Sequence, residues 1–221
     1  MSDPSFLPGG RDARGTLDEA TGRDATACVV ACPPHPQHGG TRRDQRLRAV
    51  SDALCDRGID CLRFDYGPWD GGRGERTDVG NAVAWARKRY DRVALFGFSF
   101  GGALALSAAA AGADVDAVSA LAPPARLGSE RSDPDAPDEE GIGGVDVVAD
   151  LEALSSDLPV QVVYGTRDDV AHVGPVVDAA RERGFAVVEF PADHFFVGQE
   201  SKVAGTVSDF LAPYLQEVDS S

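Results

Sequence analysis

A serine set between two glycines, Gly97-Phe98-Ser99-Phe100-Gly101, offers the strongest chemistry in the chain. An apolar run over 92–98 leads into it and an alanine-rich run over 102–111 leads out, so the spacing predicts strand, tight turn and helix. Such an elbow holds the serine in a strained backbone conformation with its hydroxyl at the helix start, and the flanking glycines make that sterically possible. A serine hydroxyl is a poor nucleophile near neutral pH and needs a base to take its proton as it attacks a carbonyl. His194, in Asp193-His194-Phe195 after the apolar run 185–190, is the candidate base. An unperturbed imidazole titrates near ~6.5, close enough to neutrality to accept that proton and return it to a leaving group.

A carboxylate on the far ring nitrogen would fix the imidazole tautomer and stabilise the transient imidazolium. Asp168, in Gly165-Thr166-Arg167-Asp168 after the run 160–164, has the right place at a strand end. Its competitors are Asp169, one residue beyond that placing, and Asp193, which adjoins His194 where neighbouring side chains seldom face one another. A tetrahedral intermediate also needs two backbone donors for its oxyanion. Phe100, after the nucleophile at a helix start, supplies the first. The second is expected from the loop Pro33-Pro34-His35-Pro36-Gln37-His38-Gly39-Gly40, where proline has no N–H to offer, leaving Gln37 with His38 behind it. His35 precedes the nucleophile and opens a loop, which favours a structural hydrogen bond over a role as base. His172 starts a predicted helix and is expected to be solvated.

The elements that must carry these residues are legible as periodicity. Apolar, β-branched runs recur at 27–31, 59–64, 93–98, 115–121, 160–164 and 186–190. Between them lie segments of helical spacing: Leu47, Val50 and Leu54 before Gly58, then Val79, Val83, Ala86 and Tyr90. Val173, Val176, Val177 and Ala180 before Gly184 make a third, and Val203, Val207, Phe210, Leu211 and Leu215 the last. Alternation of this kind implies an α/β fold: a doubly wound, mostly parallel sheet covered on both faces, with ligands bound at the carboxyl ends of the strands. One domain over residues 1–221 is expected, with a flexible start over 1–14 and a tail over 217–221. Residues 15–20 read as an edge strand. The segment 123–144, with four prolines and six acids between Glu130 and Glu140, reads as a solvated excursion, either a small lid or a plain loop.

Composition narrows the partners. The chain has 21 basic and 36 acidic residues and a formal net charge of −15, spread along its length, which disfavours nucleic acid and anionic membranes. Only Lys88 and Lys202 are lysines, and scarce lysine among abundant carboxylates reads as a protein of a salt-loaded cytosol, against the alternative of an ordinary acidic enzyme. Cys28, Cys32, Cys55 and Cys61 read as small core residues, because no second Cys/His pair completes a metal site. The first residues lack the basic start and apolar stretch of a secretory signal, and no run reaches the ~18 apolar residues of a membrane span. A cytoplasmic location with reduced thiols is expected.

The order serine, acid, histidine, each after a successive strand, resembles that of α/β-hydrolases. The combination His35-Pro36-Gln37-His38-Gly39-Gly40, Arg63-Phe64-Asp65-Tyr66-Gly67, Gly74-Glu75 with Asp78, and Gly97-Phe98-Ser99-Phe100-Gly101 is similar to the small, nearly lidless members related to dienelactone hydrolase. In that family a loop of the form His-Pro-x-x-x-Gly-Gly supplies an oxyanion donor, which implies Gln37 here. Dienelactone hydrolases carry a cysteine nucleophile, whereas Ser99 stands at that position, so their lactone substrate does not transfer. The usual Arg-Gly after the second core strand is replaced by Tyr66-Gly67-Pro68-Trp69. Glu75 and Asp78 are expected to cap a helix over 76–90. Together these readings imply a serine hydrolase of a small ester, thioester or related acyl bond, working through an acyl-enzyme without cofactor or metal. A peptidase or acyltransferase would use the same triad, and a non-catalytic binding protein could keep the same fold. Phe98, Phe100, Trp69, Tyr66, Phe195 and Phe196 are candidates for an apolar acyl site, with core packing the competing role.

Overall fold

Strand and helix alternate along the chain as the two hydrophobic periods require. The computed structural model describes residues 5–21, 25–127 and 144–216. In chain order the elements are β1 (Ser5–Phe6), β2 (Arg14–Asp18), β3 (Ala27–Cys32), a 3₁₀ turn (Pro36–His38), α1 (Gln45–Cys55), β4 (Asp60–Asp65), α2 (Arg73–Arg87), β5 (Arg92–Phe98) and α3 (Phe100–Ala110). They continue with β6 (Ala117–Leu121), α4 (Val147–Ala153), β7 (Val160–Gly165), α5 (Gly174–Glu182), β8 (Ala186–Phe190) and α6 (Glu200–Leu215).

The strands form one eight-stranded sheet in the order β1-β2-β4-β3-β5-β6-β7-β8. From β4 to β8 the pairings are parallel, while β1 and β2 are antiparallel additions at one side. Strands β3 and β6 are buried at every residue, which explains why their sequences read as continuous apolar runs rather than alternations. Helices α1 and α6 cover one face, and α2, α3, α4 and α5 the other. This is the expected doubly wound, mostly parallel single domain. The chain leaves β3 for β4 on one side, then crosses back to place β5 on the other side of β3. Connections therefore diverge above the carboxyl ends of β3 and β5, where doubly wound sheets open a crevice.

Local chemistry sets the helices. Asp44 caps α1 by accepting from the N–H groups of Arg46 and Leu47, and Leu47, Val50 and Leu54 bury its inner face. Helix α3 is apolar all round and buried through Ala109, as expected of a helix held between the sheet and its neighbours α2 and α4. Among the described residues no helix is long and apolar enough to cross a membrane.

Two expectations, the edge strand and the start of the second helix, are corrected. The strand read at 15–20 is β2, but β1 pairs outside it, so Ser5–Phe6 holds the edge. After β1, Leu7 and Ala13 are buried, and Arg11 reaches Asp78 at 3.0 Å and the Pro68 carbonyl at 2.7 Å. Those contacts join residues about sixty positions apart, which no local pattern signals. Helix α2 begins at Arg73 rather than Arg76; Glu75 does cap it, accepting from Gly72 N–H at 2.7 Å, but Asp78 lies inside the helix and accepts from Gly67 N–H at 2.9 Å. Of the excursion read at 123–144, residues 128–143 lie outside the described residues, as does the tail 217–221. On its near side Arg126 pairs with Asp146 at 3.1 Å.

Candidate active site

Strand β5 runs into α3 with a single residue between them, and the chain turns there because Ser99 takes φ 53° and ψ −119°. A left-handed backbone at a non-glycine residue costs on the order of 1–3 kcal/mol and persists only where the surroundings enforce it. Ser99 N–H donates to the Leu121 carbonyl at 2.7 Å, and Ala103 N–H donates to the Ser99 carbonyl at 3.0 Å, so sheet and helix grip the residue from both sides. The flanking glycines are there for room. A Cβ on Gly97 would lie 2.2 Å from the Gly101 carbonyl oxygen, and one on Gly101 would lie 2.2 Å from that of Cys32. Gly101→Ala must therefore push α3 away from the end of β3, at the ~1–3 kcal/mol usual for overpacking. The expected result is a lower urea midpoint at unchanged slope, and an unaltered midpoint would show that the loop after β3 yields freely.

Ser99, His194 and Asp168 arrive from the carboxyl ends of β5, β8 and β7. His194 Nε2 lies 3.0 Å from Ser99 Oγ, and His194 Nδ1 lies 2.8 Å from Asp168 Oδ2. The hydroxyl makes no cap bond to α3, being directed at the imidazole. Asp168 keeps its other oxygen, Oδ1, for the N–H groups of Val170 and Ala171, each at 2.9 Å. Burial pushes this carboxyl up, but hydrogen bonds from His194, Ala171 and Val170 outweigh it and hold the group below the usual carboxylate range. An ionised carboxylate is thus fixed against Nδ1, and Nε2 is left to accept from Ser99.

The competing acids are placed elsewhere. Asp169 is exposed, and Asp193 turns back to accept from Phe195 N–H at 2.9 Å and Phe196 N–H at 3.1 Å. His172 is exposed at φ 45°, just before α5.

The loop expected to supply the second oxyanion donor is a 3₁₀ turn. Gln37 N–H donates to His35 Nδ1 at 3.3 Å and His38 N–H to the His35 carbonyl at 3.0 Å, so both amides serve their own 3₁₀ turn. Elimination by proline did not count the imidazole of His35 as an acceptor for the Gln37 amide. Phe100, the other expected donor, opens α3, where N–H groups have no carbonyl one turn back. His35 has the structural role expected of it, and its ring also packs 4.7 Å from both Phe100 and Trp69.

The aromatic set divides. Phe98, Phe100, Tyr66 and Phe196 are core, whereas Trp69 is half-buried and Phe195 is 52% exposed beside His194. The four cysteines are free, and burial pushes the thiols of Cys28, Cys32 and Cys61 far up, which leaves them inert. Sequence reading did not single out Arg46, whose guanidinium reaches the Phe195 carbonyl at 2.8 Å across 149 positions. Nothing local marks such a contact.

No protein-family model and no curated protein matches this chain in sequence. Solved structures do match. An α/β serine hydrolase homologue of Coxiella burnetii superposes with a TM-score of 0.75 at 22% identity, over 95% of this chain and 97% of that one. A lidless α/β serine hydrolase of Xanthomonas campestris gives 0.74 at 23%, over 98% and 96%. Est1E of Butyrivibrio proteoclasticus, solved with ferulic acid bound, gives 0.80 at 19%, over 96% and 100%. With TM-scores of 0.74–0.80 over near-complete lengths of both chains, the chain has the α/β-hydrolase fold.

Proposed function

We propose that the protein is a serine hydrolase that cleaves a small ester, thioester or related acyl bond through an acyl-enzyme. The observation that carries this reading is the unbroken relay from Ser99 Oγ to His194 Nε2 at 3.0 Å and from Nδ1 to Asp168 at 2.8 Å. Ser99 attacks the acyl carbon while His194 takes its proton, and the Phe100 N–H donates to the oxyanion as the tetrahedral intermediate forms. Collapse of that intermediate expels the alcohol or thiol, protonated by His194. Water, deprotonated by the same imidazole, then attacks the acyl-enzyme and frees Ser99. Asp168 holds the tautomer throughout. Descriptions of the structural neighbours as serine hydrolases and esterases support the ester reading over a peptidase. The test is p-nitrophenyl butyrate hydrolysis: a burst of one p-nitrophenolate per chain before steady turnover is expected, and absence of any hydrolysis would overturn the reading.

The surface belongs to the same reading. A formal charge of −15 over 221 residues fits a protein of a salt-loaded cytoplasm, where screening relieves mutual repulsion of the carboxylates. The Debye length falls from ~30 Å at 0.01 M to ~3 Å at 1 M. Thermal midpoint and esterase rate are therefore expected to rise together from dilute buffer to molar KCl. A flat or falling midpoint would mark an ordinary acidic protein and leave the triad untouched.

A further inference from the structure

We propose that Arg46 is a positioning residue that holds His194 in line with Ser99; the proposal rests on the reading of Ser99, His194 and Asp168 as a working triad. Arg46 lies in the first turn of α1, and its side chain folds back onto the capping carboxylate of Asp44, with Nε at 2.9 Å from Oδ1 and a second contact from Nη2 to Oδ2. That bidentate pairing fixes the plane of the guanidinium. Two further contacts go to the immediate neighbours of the triad. The guanidinium carbon sits 4.3 Å from the ring centroid of Phe98, the residue before the nucleophile. Its Nη1 donates to the carbonyl of Phe195, the residue after the base, at 2.8 Å.

The geometry of the histidine loop makes the second contact consequential. The peptide joining Phe195 to Phe196 is held at both ends: its N–H donates to Asp193 Oδ1 at 3.1 Å and its carbonyl accepts from Arg46. Phe196 then takes φ 52°, a left-handed conformation that such pinning sustains. The imidazole itself has an aromatic neighbour on each of two sides, Phe98 at 5.3 Å and Phe195 edge-on at 5.3 Å, and Arg46 touches both residues. No other charged side chain among the described residues is shown to bond the Phe195 carbonyl. A displacement of about 1 Å at a reacting centre can cost on the order of 100-fold in rate. Arg46 thus acts through Phe195 and Phe98 on the distance between His194 Nε2 and Ser99 Oγ, without touching the substrate.

The test uses the full chain with Arg46→Ala and Arg46→Met, the second retaining an apolar stem over Phe98 while removing the donor. Asp44 keeps its backbone cap bonds in both. Three quantities are read: kcat and KM on p-nitrophenyl butyrate, the rate at which a fluorophosphonate labels Ser99, and the thermal midpoint. Both variants are expected to lose about 10- to 100-fold in kcat and in labelling rate with KM little changed. Millimolar guanidinium chloride, against the same concentration of KCl, is expected to recover part of the loss in Arg46→Ala. Folded variants with kcat and labelling within twofold of the parent would overturn the proposal, as would a loss confined to KM. Failure of both variants to fold would make Arg46 a stability residue and equally overturn it. A parent chain that is not labelled at all would instead remove the triad reading on which the proposal stands.

Discussion

Ser99→Ala is expected to abolish the p-nitrophenolate burst and to lower turnover on the order of 10⁶-fold, the size of loss seen when a triad nucleophile is removed. The substitution deletes only Oγ, whose partner is His194 Nε2 at 3.0 Å. The backbone bonds that hold the elbow, Ser99 N–H to Leu121 and Ala103 N–H to Ser99, are untouched. The thermal midpoint should therefore stay near that of the parent, which separates loss of chemistry from loss of fold. A burst that survived in Ser99→Ala would place the nucleophile elsewhere.

Asp168→Asn carries the second largest effect, a fall in kcat of about 10⁴-fold. The carboxylate accepts at Oδ2 from His194 Nδ1 and at Oδ1 from two backbone N–H groups. With those N–H groups still requiring the amide oxygen, the asparagine must present its NH₂ to Nδ1. The imidazole is driven into the tautomer with hydrogen on Nε2, which cannot take a proton from Ser99. Asp169→Asn should leave kcat nearly unchanged, its side chain being exposed. The pH dependence follows in sign. Because Asp168 is held below the usual range in the folded chain, its contribution to stability is complete above the unfolded value of ~3.9 and is lost as pH falls through the folded value. Asp168→Asn should therefore flatten the acid limb of the unfolding curve below about pH 4, read as thermal midpoint against pH.

Much of this site is legible in the sequence because its parts are local. Gly97 and Gly101 are needed for close approach of backbone to backbone, and two glycines around a serine between a strand run and an alanine run express that need within five residues. Asp168 and His194 each follow a strand run by a few residues, so periodicity alone carries them to the same end of the sheet. What escapes is either competition inside a turn or contact across the fold. His35 takes the Gln37 amide through its ring nitrogen, a bond that elimination by residue type does not reveal. Arg11 secures the start of the chain to Asp78 and the Pro68 carbonyl, and Arg46 joins α1 to the histidine loop; both link segments whose proximity exists only after folding. Edge order escapes for the same reason: β1 has two residues, too few for any period to register.

The central claim, that Ser99 is a nucleophile activated by His194 and Asp168, is tested most directly by reacting the folded chain with a fluorophosphonate in molar KCl and mapping the adduct by peptide mass. The account predicts one adduct per chain, on the peptide bearing Ser99, formed far more slowly in His194→Ala and not at all in Ser99→Ala. An unmodified chain, or an adduct on any other residue, would contradict it.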